Sequence, residues 1–170
     1  MNKIYIDFDG VILDTWDLIF RKYYEIYKTS EIYEDEIKKL MLDIGWDYII
    51  NNSIEINNSI NNIKQLLIKY EVCILSKVNS KEEADAKKKF LIKNNITNMC
   101  FVPYNSKKIE YVDPHKNILI DDDLKNLEEW EQSGGISIFF NKDLSIYDSY
   151  GNKNNKFLVI NDLLKFNDII

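Results

Sequence analysis

Arginine is nearly absent from this chain: Arg21 is the single one among 22 basic residues in a length of 170. Any anion site must therefore rely on lysines, backbone N–H groups or a metal rather than on guanidinium forks. Histidine is just as scarce. His115 follows Pro114 in a polar stretch, and no catalytic role is expected of it. The two cysteines, Cys73 and Cys100, each lie inside an apolar run and lack metal-ligand spacing, so two reduced thiols are expected rather than a disulfide. No apolar run approaches the roughly 20 residues that span a bilayer. The opening Met-Asn-Lys leads straight into a strand-like Ile4-Tyr5-Ile6 and then acids, unlike a signal peptide, so the expected setting is the cytoplasm.

Excess positive charge is missing too. A net charge of -6 argues against wrapping duplex nucleic acid by phosphate neutralisation. It leaves room for a small phosphorylated substrate held by one or two local cations. What is present is a globular composition, 45% hydrophobic, 29% charged and 13% aromatic, which excludes a disordered chain. The length suits one well-buried domain and is too short for two full ones.

Short apolar runs alternate with helical patterns. Strands are expected at Lys3–Ile6, Val72–Leu75, Met99–Val102, Asn117–Ile120, Ile136–Phe140 and Phe157–Ile160. They are rich in Ile, Val and Phe and lack strict alternation, as strands covered on both faces do. Helices are expected at Lys81–Lys93, Lys107–Val112, Leu124–Gln132 and Asp162–Phe166. This rhythm predicts an α/β fold, a doubly wound parallel sheet with helices on both sides.

One stretch breaks the rhythm. From Asp14 to about Tyr70 there is no convincing strand, but three helical stripes: Trp16, Ile19, Phe20, Tyr23 and Tyr27; Ile37, Leu40, Met41 and Ile44, stopping at Gly45; and Ile60, Ile63, Leu66 and Leu67. Asp14 or Thr15 is the candidate N-cap of the first. We read 15–65 as a small helical cap inserted after the first strand, with 1–14 and 66–170 forming the core. The Asn-rich Asn51–Asn62 holds the return connection.

Chemistry-bearing residues gather at strand ends, where open α/β sheets bind ligands. The first strand runs into Asp7-Phe8-Asp9-Gly10, two carboxylates one residue apart, whose mutual repulsion calls for a cation. The fourth ends in Asp121-Asp122-Asp123, with Asn126 one helical turn on. Acids at two strand ends on one edge suggest a shared hard cation, and Mg²⁺ suits carboxylates, water and phosphate. An acidic N-cap is the plainer reading of Asp122 or Asp123. The second strand ends in Ser76-Lys77, a hydroxyl and backbone N–H groups able to bond phosphate. Lys107 and Lys108 precede the acidic strand.

That order resembles the four motifs of the haloacid dehalogenase (HAD) superfamily: Asp-Phe-Asp-Gly-Val after the first strand, Ser76 after the second, Lys108 before the fourth, Ile-Leu-Ile-Asp-Asp at its end. The acids followed by Asn126, Trp130 and Ser133-Gly134-Gly135 are similar to the 5′(3′)-deoxyribonucleotidase group and its short bacterial and phage relatives. The resemblance implies a Mg²⁺-dependent phosphomonoesterase working through an aspartyl-phosphate. Asp7 would be the nucleophile and Asp9 the acid and base. Ser76, Lys77 and Lys108 would bind the phosphoryl group, with Lys107 and Lys87 as alternative lysines. Asp7, Asp9, Asp121 and Asp122 would surround the metal, Asp122 directly and Asp121 through water or a hydrogen bond.

The resemblance also assigns substrate choice to the cap. Its Trp46 and Tyr48, after Gly45, are the candidate platform for a nucleobase, whereas Trp16 and Tyr23 are expected to pack the cap. Nucleoside monophosphates are therefore the favoured substrates. Sugar phosphates remain an alternative, as does a silent scaffold acting as a binding module. A receiver-like signalling domain is disfavoured, because the third strand ends in Pro103-Tyr104-Asn105 without an acid.

Overall fold

A computed structural model describes residues 2–143 and 157–168. Six strands, β1 (Ile4–Ile6), β2 (Val72–Val78), β3 (Met99–Pro103), β4 (Ile118–Asp121), β5 (Ile136–Phe140) and β6 (Leu158–Ile160), form one sheet in the order β3-β2-β1-β4-β5-β6. Every pairing is parallel. The predicted doubly wound architecture is therefore the observed one, each strand within a few residues of its expected bounds. The stretch 144–156 of the expected core lies outside the described residues.

Parallel strands need coverage on both faces, and their alternation supplies two apolar sets. Ile4, Ile6, Ile74, Ile118, Ile120 and Ile138 join Ile60, Ile63 and Leu66 of α4 (Ser59–Lys69) and Leu91 of α5 (Lys81–Lys93). The residues between them, Tyr5, Cys73, Leu75 and Leu119, pack with Leu127 and Trp130 of α6 (Leu124–Gln132). Trp130 is fully buried, meets Tyr5 edge-on at 5.2 Å and donates from Nε1 to Asn117 O at 3.0 Å. A Cβ on Gly135 would stand 2.2 Å from that nitrogen, which is why glycine follows this helix. Both cysteines are free.

Two expected helices tighten. Lys107–Val112 is a single 3-10 turn at Lys108–Glu110, and the closing segment is a 3-10 run at Leu163–Asp168. Six residues before Asp113-Pro114 are too few to offset helix nucleation.

Between β1 and β2, α1 (Thr15–Tyr27), α2 (Glu34–Ile44) and α3 (Trp46–Asn52) share a core of their own: Leu18, Ile19, Tyr23, Ile37, Leu40, Met41 and Ile49. The third sequence stripe lies in α4, whose apolar face joins the sheet core instead. Leaving and returning chain meet where Leu13 bridges Glu55 and Asp14 N bonds Ile54 O at 2.9 Å. In the Asn-rich return, Asn57 and Asn58 take left-handed φ values of 46° and 58°, a conformation asparagine tolerates well. Asp14 is the N-cap residue of α1 by position but makes no capping bond; its carboxylate pairs with Lys142.

Candidate active site

In the order β3-β2-β1-β4-β5-β6 the winding reverses between β1 and β4. A crevice opens beyond the carboxyl ends at such a switch point. Asp7 follows β1 and Asp121 ends β4, and the register Ile6↔Ile120 brings them side by side. Asp7, Asp121 and Asp122 each offer an oxygen within 4.8 Å of the others. Asp122 lies over Gly10, where a Cβ would stand 2.0 Å from its Oδ2 and where φ is +72°. Glycine is thus required twice over, for space and for backbone conformation.

Lys108 rises from its 3-10 turn between two of these acids. Its Nζ donates to Asp7 Oδ1 and to Asp121 Oδ2, each at 2.7 Å. Asp121, fully buried, also accepts from Asn126 Nδ2 at 3.1 Å and from the Asp123 backbone at 2.9 Å. Asn126 in turn accepts from Lys77 Nζ at 2.8 Å, which ties the end of β2 to α6. Burial pushes the Asp7 carboxyl up to about 7; Lys108 opposes this, while Asp121 and Asp9 add to it. Burial also disfavours the Lys108 charge, but Asp121 and Asp7 outweigh it and hold that ammonium above the ordinary lysine value.

Asp9 has separate partners. Its Oδ1 accepts from Thr15 Oγ1 at 2.7 Å and its Oδ2 from Lys87 Nζ at 2.5 Å. Lys87 is fully buried and also paired with Glu83 at 2.6 Å. Lys107 points elsewhere, exposed and 3.4 Å from Glu129.

A cleft of about 190 Å³ lies over these groups, lined by Asp7, Asp9, Lys77, Lys108, Asp122 and Asn126 from the core and by Thr15, Trp16, Ile19 and Trp46 from the cap side. Of the expected site residues, Asp7, Asp9, Lys77, Lys108, Asp122 and Trp46 line it. Asp121 sits behind Lys108. Ser76 is fully buried behind the wall, its hydroxyl donating to Lys77 O at 3.2 Å and accepting from Lys87 at 3.1 Å. Tyr48 does not line the cleft: two residues along α3 from Trp46, it is turned by about 200° and is exposed. Trp16, expected to pack the helical insertion onto the core, faces the cleft and stacks on Phe20, whereas Tyr23 is buried, among α1, α2 and α3 rather than against the sheet. Thr15, read from the sequence only as a candidate N-cap, lines the cleft too, and Asn79, Glu83 and Tyr104 had no functional expectation. The i, i+4 pair Glu83 and Lys87 was the one legible signal among them.

Where the chain resembles known proteins, it does so in three dimensions. No protein-family model matches it, and no curated protein does so by sequence. A haloacid dehalogenase-like hydrolase from Streptococcus pneumoniae superposes with a TM-score of 0.68 at 11% identity, over 99% of this chain and 98% of that one. The fold is the haloacid dehalogenase-like fold. The HAD-hydrolase YfnB from Bacillus subtilis, described with bound magnesium, gives 0.65 at 13% identity over 99% and 97% of the two chains. D,D-heptose 1,7-bisphosphate phosphatase from B. bronchiseptica, in complex with magnesium and phosphate, gives 0.61 at 13% over 99% and 97%. Among the described residues, no helix is long and apolar enough to cross a membrane.

Proposed function

We propose that the protein is a Mg²⁺-dependent phosphomonoesterase of the HAD type, with 15–65 as its cap and nucleoside monophosphates as its favoured substrates. The observation that carries this reading is Asp7, Asp121 and Asp122 converging at the switch point with Lys108 between Asp7 and Asp121. Three carboxylates against one ammonium leave a negative surplus of a kind that a hard divalent cation fits. Asp7, Asp121 and Asp122 would hold it, with Asp9 beside them. When bound, it would cancel charge on the phosphoryl oxygens and so let an anionic nucleophile approach.

The chain's own residues do the rest. An Asp7 carboxylate oxygen attacks phosphorus, the bond from phosphorus to the leaving oxygen breaks, and Asp9 gives that oxygen its proton. Asp9, now a carboxylate, takes a proton from water as the water oxygen attacks the aspartyl-phosphate. Inorganic phosphate leaves and Asp7 is restored. Lys108 and Lys77 supply positive charge to the phosphoryl oxygens. Ser76 joins them only if its hydroxyl rotates away from Lys77 O, as a hydroxyl can. Trp46 supports the nucleotide preference, and Trp16 replaces Tyr48 as the second aromatic wall, since planar rings beside a phosphate site stack bases.

Phosphate release from nucleoside monophosphates, sugar phosphates and p-nitrophenyl phosphate, with and without Mg²⁺ and with Asp7→Asn as control, tests the reading. Metal-dependent release that favours nucleotides and disappears in the variant is expected. Turnover of sugar phosphates alone would keep the chemistry and overturn the substrate. Failure on every ester would leave a silent scaffold.

A further inference from the structure

We propose that Glu83 and Lys87 are a positioning pair for Asp9, so that Lys87 serves the proton-transfer step and not the phosphate. The inference rests on the phosphatase reading above and deepens it.

The geometry of the ammonium carries the argument. An ammonium has three N–H donors. Four protein oxygens surround the Lys87 Nζ: Asp9 Oδ2 at 2.5 Å, Glu83 Oε1 at 2.6 Å, Ser76 Oγ at 3.1 Å and Lys77 O at 3.3 Å. No donor is left for a phosphoryl oxygen. The Phe8 and Trp46 rings lie 5.3 and 5.8 Å from the nitrogen, and Lys87 itself does not line the cleft.

Glu83 holds the pair to rigid structure. It sits in the first turn of α5, where Ser80 caps the helix by accepting from Glu83 N at 3.1 Å. Its Oε2 accepts from Asn79 N at 2.8 Å, and its Oε1 takes the lysine. The order of attachment is therefore helix terminus, Glu83, Lys87, Asp9. With Thr15 on the other oxygen, the Asp9 carboxylate is held at two points, and each oxygen keeps a lone pair for a proton. A group that must meet a leaving oxygen within hydrogen-bond reach benefits directly from such fixation.

The test compares leaving groups. p-Nitrophenolate leaves without a proton, whereas an alkoxide needs one, and kcat/KM reports the steps up to the aspartyl-phosphate. Glu83→Gln is expected to lower kcat/KM about 30-fold or more for an alkyl phosphate of the panel above and less than about 3-fold for p-nitrophenyl phosphate. The charge-balanced Glu83→Gln/Lys87→Met should give the same disparity with a retained melting temperature. Equal losses on both esters with a raised KM would assign Lys87 to the phosphate and overturn the proposal. So would unchanged kinetics on both. If the wild-type protein turns over no alkyl phosphate, the phosphatase reading is what fails. The ¹³C carboxyl resonance of Asp9 then decides the contact without turnover: a shift in Glu83→Gln upholds it, and an unmoved resonance overturns it.

Discussion

Two buried lysines, each bonded to two carboxylates, stand near one cleft in different surroundings. Lys108 comes from a short turn and reaches across the sheet to acids on β1 and β4, facing the cleft. Lys87 comes from the interior of a regular helix, is closed in by aromatic rings, and turns its charge toward Asp9 and Glu83. Identical side chains thus acquire different partners from their position relative to the switch point. The Lys108 group retains a surplus of carboxylate that a divalent cation would complete. The Lys87 group is closed by protein partners alone. In both, the acids outweigh burial and keep the lysine charged.

The sharpest way to break this comparison is to remove Lys108. Lys108→Met leaves Asp7 and Asp121 facing each other uncompensated, so about 3–5 kcal/mol of stability should go in a denaturant titration. At saturating Mg²⁺, kcat/KM should fall about a hundredfold or more. Lys107→Met, one residue away but exposed, should stay within about twofold of wild type on the same assay. Equal effects from both would dissolve the distinction between neighbours.

Metal and pH sharpen it next. The Asp7 carboxyl is raised from 3.8 to about 7 without metal, chiefly by burial. Between those values this carboxyl binds more protons in the folded protein than in the unfolded chain, so its contribution to stability falls as pH rises through that window and is fully present only below it. Between pH 4.5 and pH 7.5 that contribution changes by about 3 kcal/mol, to be read in chelator from urea unfolding of the wild type against Asp7→Asn. Adding Mg²⁺ at the higher pH should recover much of it, and Asp7→Asn should flatten the slope. Equal pH slopes for the wild type and Asp7→Asn without metal would contradict the arrangement.

Gly10→Ala tests the floor of the Lys108 group alone. The new methyl would meet Asp122 at 2.0 Å on a backbone with φ of +72°, so a loss of about 1–3 kcal/mol is expected, with weaker Mg²⁺ binding by calorimetry. The smallest effect belongs to the cap. Trp46→Ala should raise KM for a nucleoside monophosphate about 5- to 30-fold, whereas Tyr48→Ala should leave it within about twofold. A larger effect at Tyr48 would return the base platform to where the sequence alone placed it.

What could be read along the chain was whatever depends on local periodicity and strand-end chemistry. Isoleucine-rich runs separated by helical patterns specify a parallel sheet, because strands covered on both faces tolerate no polar face. Acids immediately after β1 and at the end of β4 mark a candidate ligand edge because open α/β sheets bind ligands beyond their strand ends, and Gly10 marks a turn because it lacks a Cβ. Lys87 was legible only as one of three candidate lysines, not as the partner of Asp9. Ala86-Lys87-Lys88-Lys89 reads as one charged helix face, yet neighbours on a helix differ by about 100° in direction, and Lys87 alone turns inward onto Asp9, 78 positions earlier in the chain. Trp46 and Tyr48, two residues and about 200° apart on α3, part in the same way, and Lys107 is extended where Lys108 opens the 3-10 turn. Local pattern named the residue types and the edge of the sheet where they gather. Only the packing of α5 and the cap against that edge decided which ammonium, which carboxylate and which indole share a cavity, because those contacts join segments that no local rule connects.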